Sequence, residues 1–161
     1  MNEKIKNILS ILSDIKTQSE NLKSQYPKTV GFIQLLSAFF KESDLYILID
    51  QEATNEEIRK IEISTRPILV VQGLSIYQEN CLTSVAVEIA ILVKSDSLLE
   101  GLLLFSLSHY MYGYNYDEKK SSTLELIQRM LLDINPVDGH KRGRKNKRKT
   151  PDANTKVLSL I

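Results

Sequence analysis

The stretch from Ser95 to Pro136 constrains the fold more than any other part of this sequence, because it holds the chain's most apolar segment. A helix is predicted to begin after Ser97, and apolar residues occupy nearly every side of it: Leu98, Leu99, Leu102, Leu103, Leu104, Phe105 and Leu107. A helix that is apolar all round is either buried in a core or spans a membrane. The unbroken apolar part is about ten residues long, whereas a bilayer requires about 20. We therefore expect a core helix.

A second helix is predicted after a short polar break, so that the two form a helical hairpin over residues 97–134. Ser97 and Ser122 each stand three residues before a glutamate, which is the spacing of a capping box at a helix N-terminus. The apolar stripe of the second helix consists of Leu124, Ile127, Leu131 and Ile134. This spacing favours one buried side, and Asn135 with Pro136 is expected to end the helix.

Four tyrosines mark the end of the apolar helix and the break that follows it: Tyr110, Tyr112, Tyr114 and Tyr116. Each tyrosine combines an apolar ring with a polar tip, which suits a partly wet boundary. We expect an aromatic rim around the core, and an aromatic ledge that binds a base or a peptide is the alternative.

The rest of the chain is predicted to contain helices and short strands. Helices are expected over residues 2–25 and 28–42 and after a capping box at Thr54, and strands over 44–50, 68–71 and 85–93. The last two strands are expected to pair, and a helix is the alternative for residues 83–93, whose β-branched residues alternate with others. The predicted fold class is α+β and predominantly helical, with a small β-sheet packed against helices and a C-terminal helical hairpin.

The N-terminal helix carries a heptad pattern. Its apolar residues at spacings of three and four are Ile5, Ile8, Leu12, Ile15 and Leu22, with Ser19 as the polar exception. Three heptads are the lower limit for predicting a coiled coil, and the mixed residues at the core positions specify no stoichiometry. We expect this stripe to pack on the chain's own domain, and a coiled-coil homodimer is the alternative.

Charge is unevenly distributed along the sequence. Seven basic residues lie close together near the C-terminus: Lys141, Arg142, Arg144, Lys145, Lys147, Arg148 and Lys149. Removing them from the 21 basic residues leaves 14 against 20 acidic ones, so the rest of the chain carries a net charge of −6. Clustered cations of this kind are typical of nuclear-import signals and of arms that contact phosphates. A solvated charged segment without a partner is the alternative.

No catalytic arrangement is evident, and we expect no enzyme activity, cofactor or metal site. Ser106, Ser108 and His109 lack the glycines of a nucleophile elbow, and His109 is expected to be a hydrogen-bonded boundary residue. The single cysteine, Cys81, excludes an internal disulfide and has no neighbouring cation that would activate its thiol. The two histidines are too few for a histidine-based zinc site without carboxylate ligands.

Four segments of the sequence carry a family resemblance: Pro67–Val71, Tyr112–Tyr116, Thr123–Arg129 and Ile134–Pro136. They resemble the C-terminal region of uncharacterised vertebrate sterile alpha motif domain-containing protein 3-like proteins. The resemblance covers residues 67–161 and is most specific over 123–136. No sterile alpha motif domain is recognisable in front of it. The resemblance implies no established activity.

Together these features predict an amphipathic N-terminal helix over residues 1–26, a globular domain over 27–138, a basic tail over 139–155 and a short apolar end over 156–161. We expect a non-enzymatic, intracellular and nuclear interaction module. Its body would bind an unidentified protein, and its basic tail would bind nucleic acid or an import receptor. The alternative is a structural oligomerisation domain, a homodimer through the N-terminal heptad. No signal peptide or membrane association is expected.

Overall fold

A computed structural model describes residues 3–61, 65–88, 90–135 and 155–160 of the chain. The helices are α1 (Glu3–Leu22), α2 (Tyr26–Phe40), α3 (Asn55–Lys60), α4 (Leu98–Met111), α5 (Ser121–Met130) and α6 (Thr155–Leu158). The strands are β1 (Tyr46–Ile49), β2 (Ile68–Gln72), β3 (Leu82–Val87) and β4 (Ala90–Ser95). The predicted fold class is confirmed, because a small mixed sheet packs against a larger set of helices.

The four strands form one sheet in the order β1-β2-β3-β4. β1 and β2 are parallel and are connected across α3, whereas the other two pairs are antiparallel. The predicted pairing of the two apolar β segments is confirmed by β2 and β3. The prediction of a single strand over residues 85–93 is wrong, because the chain reverses at Glu88, whose φ is 53°, and Val87 pairs with Ala90. Between Val87 and Ala90 the sequence has none of the Asn-Gly or Asp-Gly pairs that mark a tight hairpin, so the pattern contains no signal of the reversal.

Helix α4 packs on the sheet through part of its surface. Leu98, Leu102 and Phe105 are buried in the core, and Gly101 lies so close to Thr83 that a Cβ atom there would collide with the threonine side chain. The opposite side of α4 is open, and Leu103 is 42% exposed. The prediction of a core helix is therefore confirmed for one side of α4, while the other apolar side faces the surface.

Of the three predicted capping boxes at helix N-termini, one forms and two do not. The box at Thr54 is confirmed, with both of its reciprocal hydrogen bonds to Glu57 present. The box at Ser97 does not form, because Glu100 accepts a hydrogen bond from Ser95 instead. The box at Ser122 does not form either. There α5 begins at Ser121, and the expected Glu125 is buried with its Oε1 atom 3.3 Å from the Arg129 guanidinium.

The end of α5 also differs from the predicted stripe. Leu124 and Ile127 are buried as expected. The helix ends at Met130, however, so that Leu131 lies beyond it and is 65% exposed. At the C-terminal end of the described residues, α6 packs against α5 with Val157 fully buried.

Within the described ranges, no helix is both long enough and apolar enough to cross a membrane.

Candidate functional site

Helices α1 and α2 form an antiparallel hairpin at one side of the domain. Ile15 is the buried residue of α1, and it packs against Gly31 of α2, where an added Cβ atom would collide with its side chain. At the other end of the hairpin, the ammonium group of Lys4 lies 4.3 Å from the centre of the Phe39 ring. The glycine therefore allows the two helices to approach closely, and the stacked lysine partly covers an exposed aromatic ring.

The predicted heptad stripe of α1 is divided between the interior and the surface. Ile15 is buried and Ile8 is half-buried, whereas Ile5, Leu12 and Leu22 are between 45% and 50% exposed. Ile11, which lies outside the heptad pattern, is half-buried and packs on the core. The side of α1 that contacts the domain is thus rotated away from the predicted stripe.

The exposed apolar residues of the hairpin form two rows, one on each helix. Ile5, Leu9 and Leu12 are spaced by four and three residues, so they share one side of α1. Phe32, Leu35 and Phe39 are spaced by three and four and share one side of α2, with Leu35 half-buried between two exposed phenylalanines. We call these six residues the apolar face. Singly exposed apolar residues are common on proteins, but aligned rows of them are typical of binding surfaces.

A groove runs between the C-terminal half of α1 and the N-terminal part of α2. Its volume is about 610 Å³, and Leu12, Phe32 and Leu35 of the apolar face line it. We call it the α1–α2 groove. The charged residues along it are three lysines and one glutamate: Lys16, Lys23, Lys28 and Glu20. The groove therefore combines an apolar floor with a predominantly basic rim.

A second groove begins on the other side of Phe32, between α2, α4 and α5. Its volume is about 300 Å³, and its lining is apolar apart from Thr29. The lining residues are Thr29, Phe32, Ile33, Leu99, Leu102, Leu103, Ile127, Leu131 and Leu132. The exposed leucines of α4 and the one after α5 therefore border this groove, and Phe32 joins the two grooves into one apolar surface.

The predicted aromatic rim is partly buried. Tyr116 is buried and its hydroxyl donates to Gln128 at 3.1 Å, and burial raises the pKa of this tyrosine. Tyr112 is exposed and Tyr114 is half-buried, with their ring centres 6.4 Å apart. Tyr110 is half-buried as well, so the tyrosines divide between the core and the surface.

Residues considered for catalysis lie in the interior. The expectation that His109 is a boundary residue is wrong: it is 1% exposed, with its Nδ1 atom 2.9 Å from the Phe105 carbonyl oxygen. Its ring lies between those of Phe105 and Tyr116. Cys81 is also buried, and burial raises the pKa of its thiol, which favours the unreactive protonated form.

The seven basic residues at 141–149 lie outside the described residues. In the ranges that are described, no group of three or more histidine, cysteine or carboxylate side chains has the arrangement of a metal site. The apolar face and its two grooves are therefore the candidate site that the described part of the chain offers. The heptad pattern in the sequence identified Ile5 and Leu12 of the apolar face but not Phe32 and Phe39 of α2. Their spacing of seven residues was the available signal.

The chain matches no protein-family model, no curated protein and no solved structure.

Proposed function

We propose that this protein is a non-enzymatic interaction module that acts inside the cell, in the nucleus. Its folded body binds a protein partner through the apolar face, and its basic segment at 141–149 binds nucleic acid or an import receptor. The observation that carries the proposal is the alignment of exposed apolar side chains on α1 and α2. The resemblance of residues 67–161 to the sterile alpha motif domain-containing protein 3-like proteins is part of the proposal, and it assigns no activity.

The free-energy cost of leaving the apolar face in water supports a binding role. Burying an exposed leucine or phenylalanine side chain is worth about 1.5–3 kcal/mol when it is fully removed from solvent. Ile5, Leu9 and Phe32 are each about half exposed, so a partner that covers them gains part of this amount at each residue. Well-packed aromatic anchors near the centre of an interface carry much of the affinity in many protein complexes, and Phe32 is such a candidate.

The concentration of positive charge supports the role of the basic segment. Seven cations within a short segment repel one another, and binding to a polyanion relieves that repulsion while releasing counterions. Such contacts position a partner without reading its sequence. The segment joins Asn135 to Thr155, and α6 packs on α5, so deleting everything after residue 139 would also remove a packed element. Substitution is therefore a cleaner test than truncation.

The test of the basic segment compares the full chain with a variant in which all seven basic residues are replaced by glutamine. Binding to a labelled DNA duplex is measured by fluorescence anisotropy at several salt concentrations, and nuclear accumulation is measured by microscopy of tagged chains. We expect the wild type to bind with a strong salt dependence and to accumulate in the nucleus, and the variant to do neither. Equal behaviour of the two chains in both assays would exclude this part of the proposal.

The test of the apolar face is capture of partner proteins by the full chain and by the variant Phe32→Glu. The control is Leu74→Glu, because Leu74 is an exposed apolar residue that lines neither groove. A partner should be lost with Phe32→Glu and retained with the control. If both variants retain the same proteins as the wild type, the apolar face is not the docking surface.

Oligomerisation through α1 is the second candidate function. It is favoured by the exposure of the heptad residues Ile5, Leu12 and Leu22, which a symmetry mate would cover. Leu12→Glu places a charge in that stripe and should convert a homodimer into a folded monomer, as measured by light scattering. A wild-type chain that is monomeric at the concentration of the assay would exclude this candidate.

A further inference from the structure

The electrostatic character of the α1–α2 groove contrasts with that of the body around it. Outside the basic segment the chain carries a net charge of −6, yet three of the four charged residues along this groove are lysines. Lys16 lies on α1, Lys23 follows directly after the end of this helix at Leu22, and Lys28 lies on α2, and all three line the groove. The groove is therefore a local basic site with an apolar floor.

We propose that the α1–α2 groove binds an acidic amphipathic helix of a partner protein. This inference rests on the proposed function, in which the body binds a protein, and it names the chemistry of that partner. The helix would carry apolar side chains at i, i+3, i+4 and i+7, as helices that bind in grooves commonly do. Aspartate or glutamate residues beside that stripe would pair with the three lysines.

The apolar part of the groove defines where the helix anchors. Leu12 and Phe32 face the groove from opposite helices and are about half exposed, and Leu35 forms part of the floor. Two parallel ridges with an apolar floor accept one row of side chains from a third helix. Ile5 and Leu9 extend one ridge towards the N-terminus of α1, so a longer helix would find further apolar contacts there.

The charges also determine which occupant is favoured over a second copy of the chain. Residues 3–40, which form the whole hairpin, hold five lysines against three acidic residues: Lys4, Lys6, Lys16, Lys23 and Lys28 against Glu3, Asp14 and Glu20. A symmetric dimer through the groove would bring two hairpins of net positive charge together, and like charges across an interface oppose association. An acidic helix gains from the same lysines. The groove therefore favours a different protein over self-association.

The test uses three labelled synthetic peptides with the same length and helix-forming background. The first has a leucine stripe flanked by glutamates, the second has the same stripe flanked by lysines, and the third is a scrambled form of the first. The scrambled peptide keeps the negative charge and so measures binding to the basic segment at 141–149. Binding of each peptide to the full chain is measured by fluorescence anisotropy, with circular dichroism of each variant to verify folding.

We expect the glutamate-flanked peptide to bind more tightly than the other two. Phe32→Gln should weaken that binding by about tenfold or more, as loss of a central aromatic anchor does, whereas the control Leu74→Gln should leave it unchanged. A triple variant, Lys16→Glu with Lys23→Glu and Lys28→Glu, should reverse the preference and bind the lysine-flanked peptide better. The basic segment is identical in both chains, so it has no means of producing this reversal.

The alternative outcomes separate this inference from the proposed function. If the two striped peptides bind equally well and both are weakened by Phe32→Gln, the apolar face docks a helix but the preference for acidic partners is wrong. If no peptide binds above the scrambled one while Phe32→Glu still abolishes protein capture, the proposed function stands and the helix proposal falls. A wild-type dimer that Phe32→Gln dissociates would assign the groove to a second copy and overturn the inference.

Discussion

Glu42 binds Thr123, which lies 81 positions further along the chain, through two hydrogen bonds to one carboxylate oxygen. The backbone amide and the hydroxyl of Thr123 each donate to Oε2 of Glu42 at 2.8 Å, and the amide of Ser122 donates to Oε1 at 2.7 Å. The carboxylate thus satisfies two of the amides that the first turn of α5 leaves without helical partners. Its negative charge also stabilises the positive end of the helix dipole. These hydrogen bonds hold the segment that follows α2 against the N-terminus of α5.

The first prediction concerns this cap. Glu42→Ala leaves two amides at the start of α5 without an acceptor, and we expect it to lower the free energy of unfolding by about 1–3 kcal/mol, the usual range for hydrogen bonds to a charged group. Glu42→Gln retains one acceptor oxygen and should cost less. Urea denaturation measures both, with Glu52→Ala in an exposed turn as the control. Equal stability of Glu42→Ala and the control would show that the cap contributes nothing.

The same cap shows why one helix start was predictable and another was not. At Thr54 both partners of the capping box lie within four residues, so the sequence contains the whole motif. At α5 the acceptor comes from a distant part of the chain, and only the folded structure brings it to the helix. Glu125, the local acceptor that the spacing indicated, is buried and pairs with Arg129 instead.

The candidate site was predicted only in part, for a related reason. The sequence predicted an amphipathic helix at the N-terminus and a second helix over residues 28–42. In the structure Ile15 packs closely against Gly31, and Leu12 and Phe32 lie at the surface. The sequence alone does not show that a glycine in a helix allows such close packing, because this depends on which residue of another helix lies next to it. The apolar face therefore required the three-dimensional structure.

The second prediction compares two apolar residues that the sequence pattern treats alike. Ile127 is 3% exposed in the core, whereas Leu103 is 42% exposed beside a groove. We expect Ile127→Ala to lower the free energy of unfolding by about 2–5 kcal/mol, the range for truncating a buried aliphatic side chain. Leu103→Ala should cost less than half as much. Denaturation in urea distinguishes them, and a larger loss for Leu103→Ala would mean that α4 is rotated relative to this structure.

The third prediction tests the close approach of α1 and α2. Gly31→Ala adds a methyl group where Ile15 already lies, and we expect this overpacking to cost about 1–3 kcal/mol despite the better helix propensity of alanine. Ile15→Ala in the same chain removes the colliding atoms. The double variant should therefore lose less free energy of unfolding than the sum of the losses in the two single variants. Thermal unfolding of all four chains measures the coupling. Strictly additive losses would contradict the contact.

The last prediction follows from three tyrosines whose hydroxyls lie in the interior. Burial raises the pKa of Tyr26, Tyr46 and Tyr116 above the ordinary value; for Tyr46 the nearby Asp44 carboxylate raises it further, against the effect of the hydrogen bond from Gln34. In the unfolded chain a tyrosine loses its proton at about pH 10. The folded state therefore holds these protons to higher pH than the unfolded state does.

The sign of the pH dependence follows from that difference. Because the unfolded state binds fewer protons above about pH 10, the free energy of unfolding falls as pH rises through that region, and the contribution is fully present below it. We expect urea denaturation at a series of alkaline pH values to show this fall, together with tyrosinate absorbance that appears on unfolding. Tyr46→Phe loses the hydrogen bond with Gln34 at every pH, but its stability should decline less steeply. Tyr112→Phe, which changes an exposed ring, is the control, and parallel pH profiles for Tyr46→Phe and the wild type would show that ionisation of Tyr46 is not linked to unfolding.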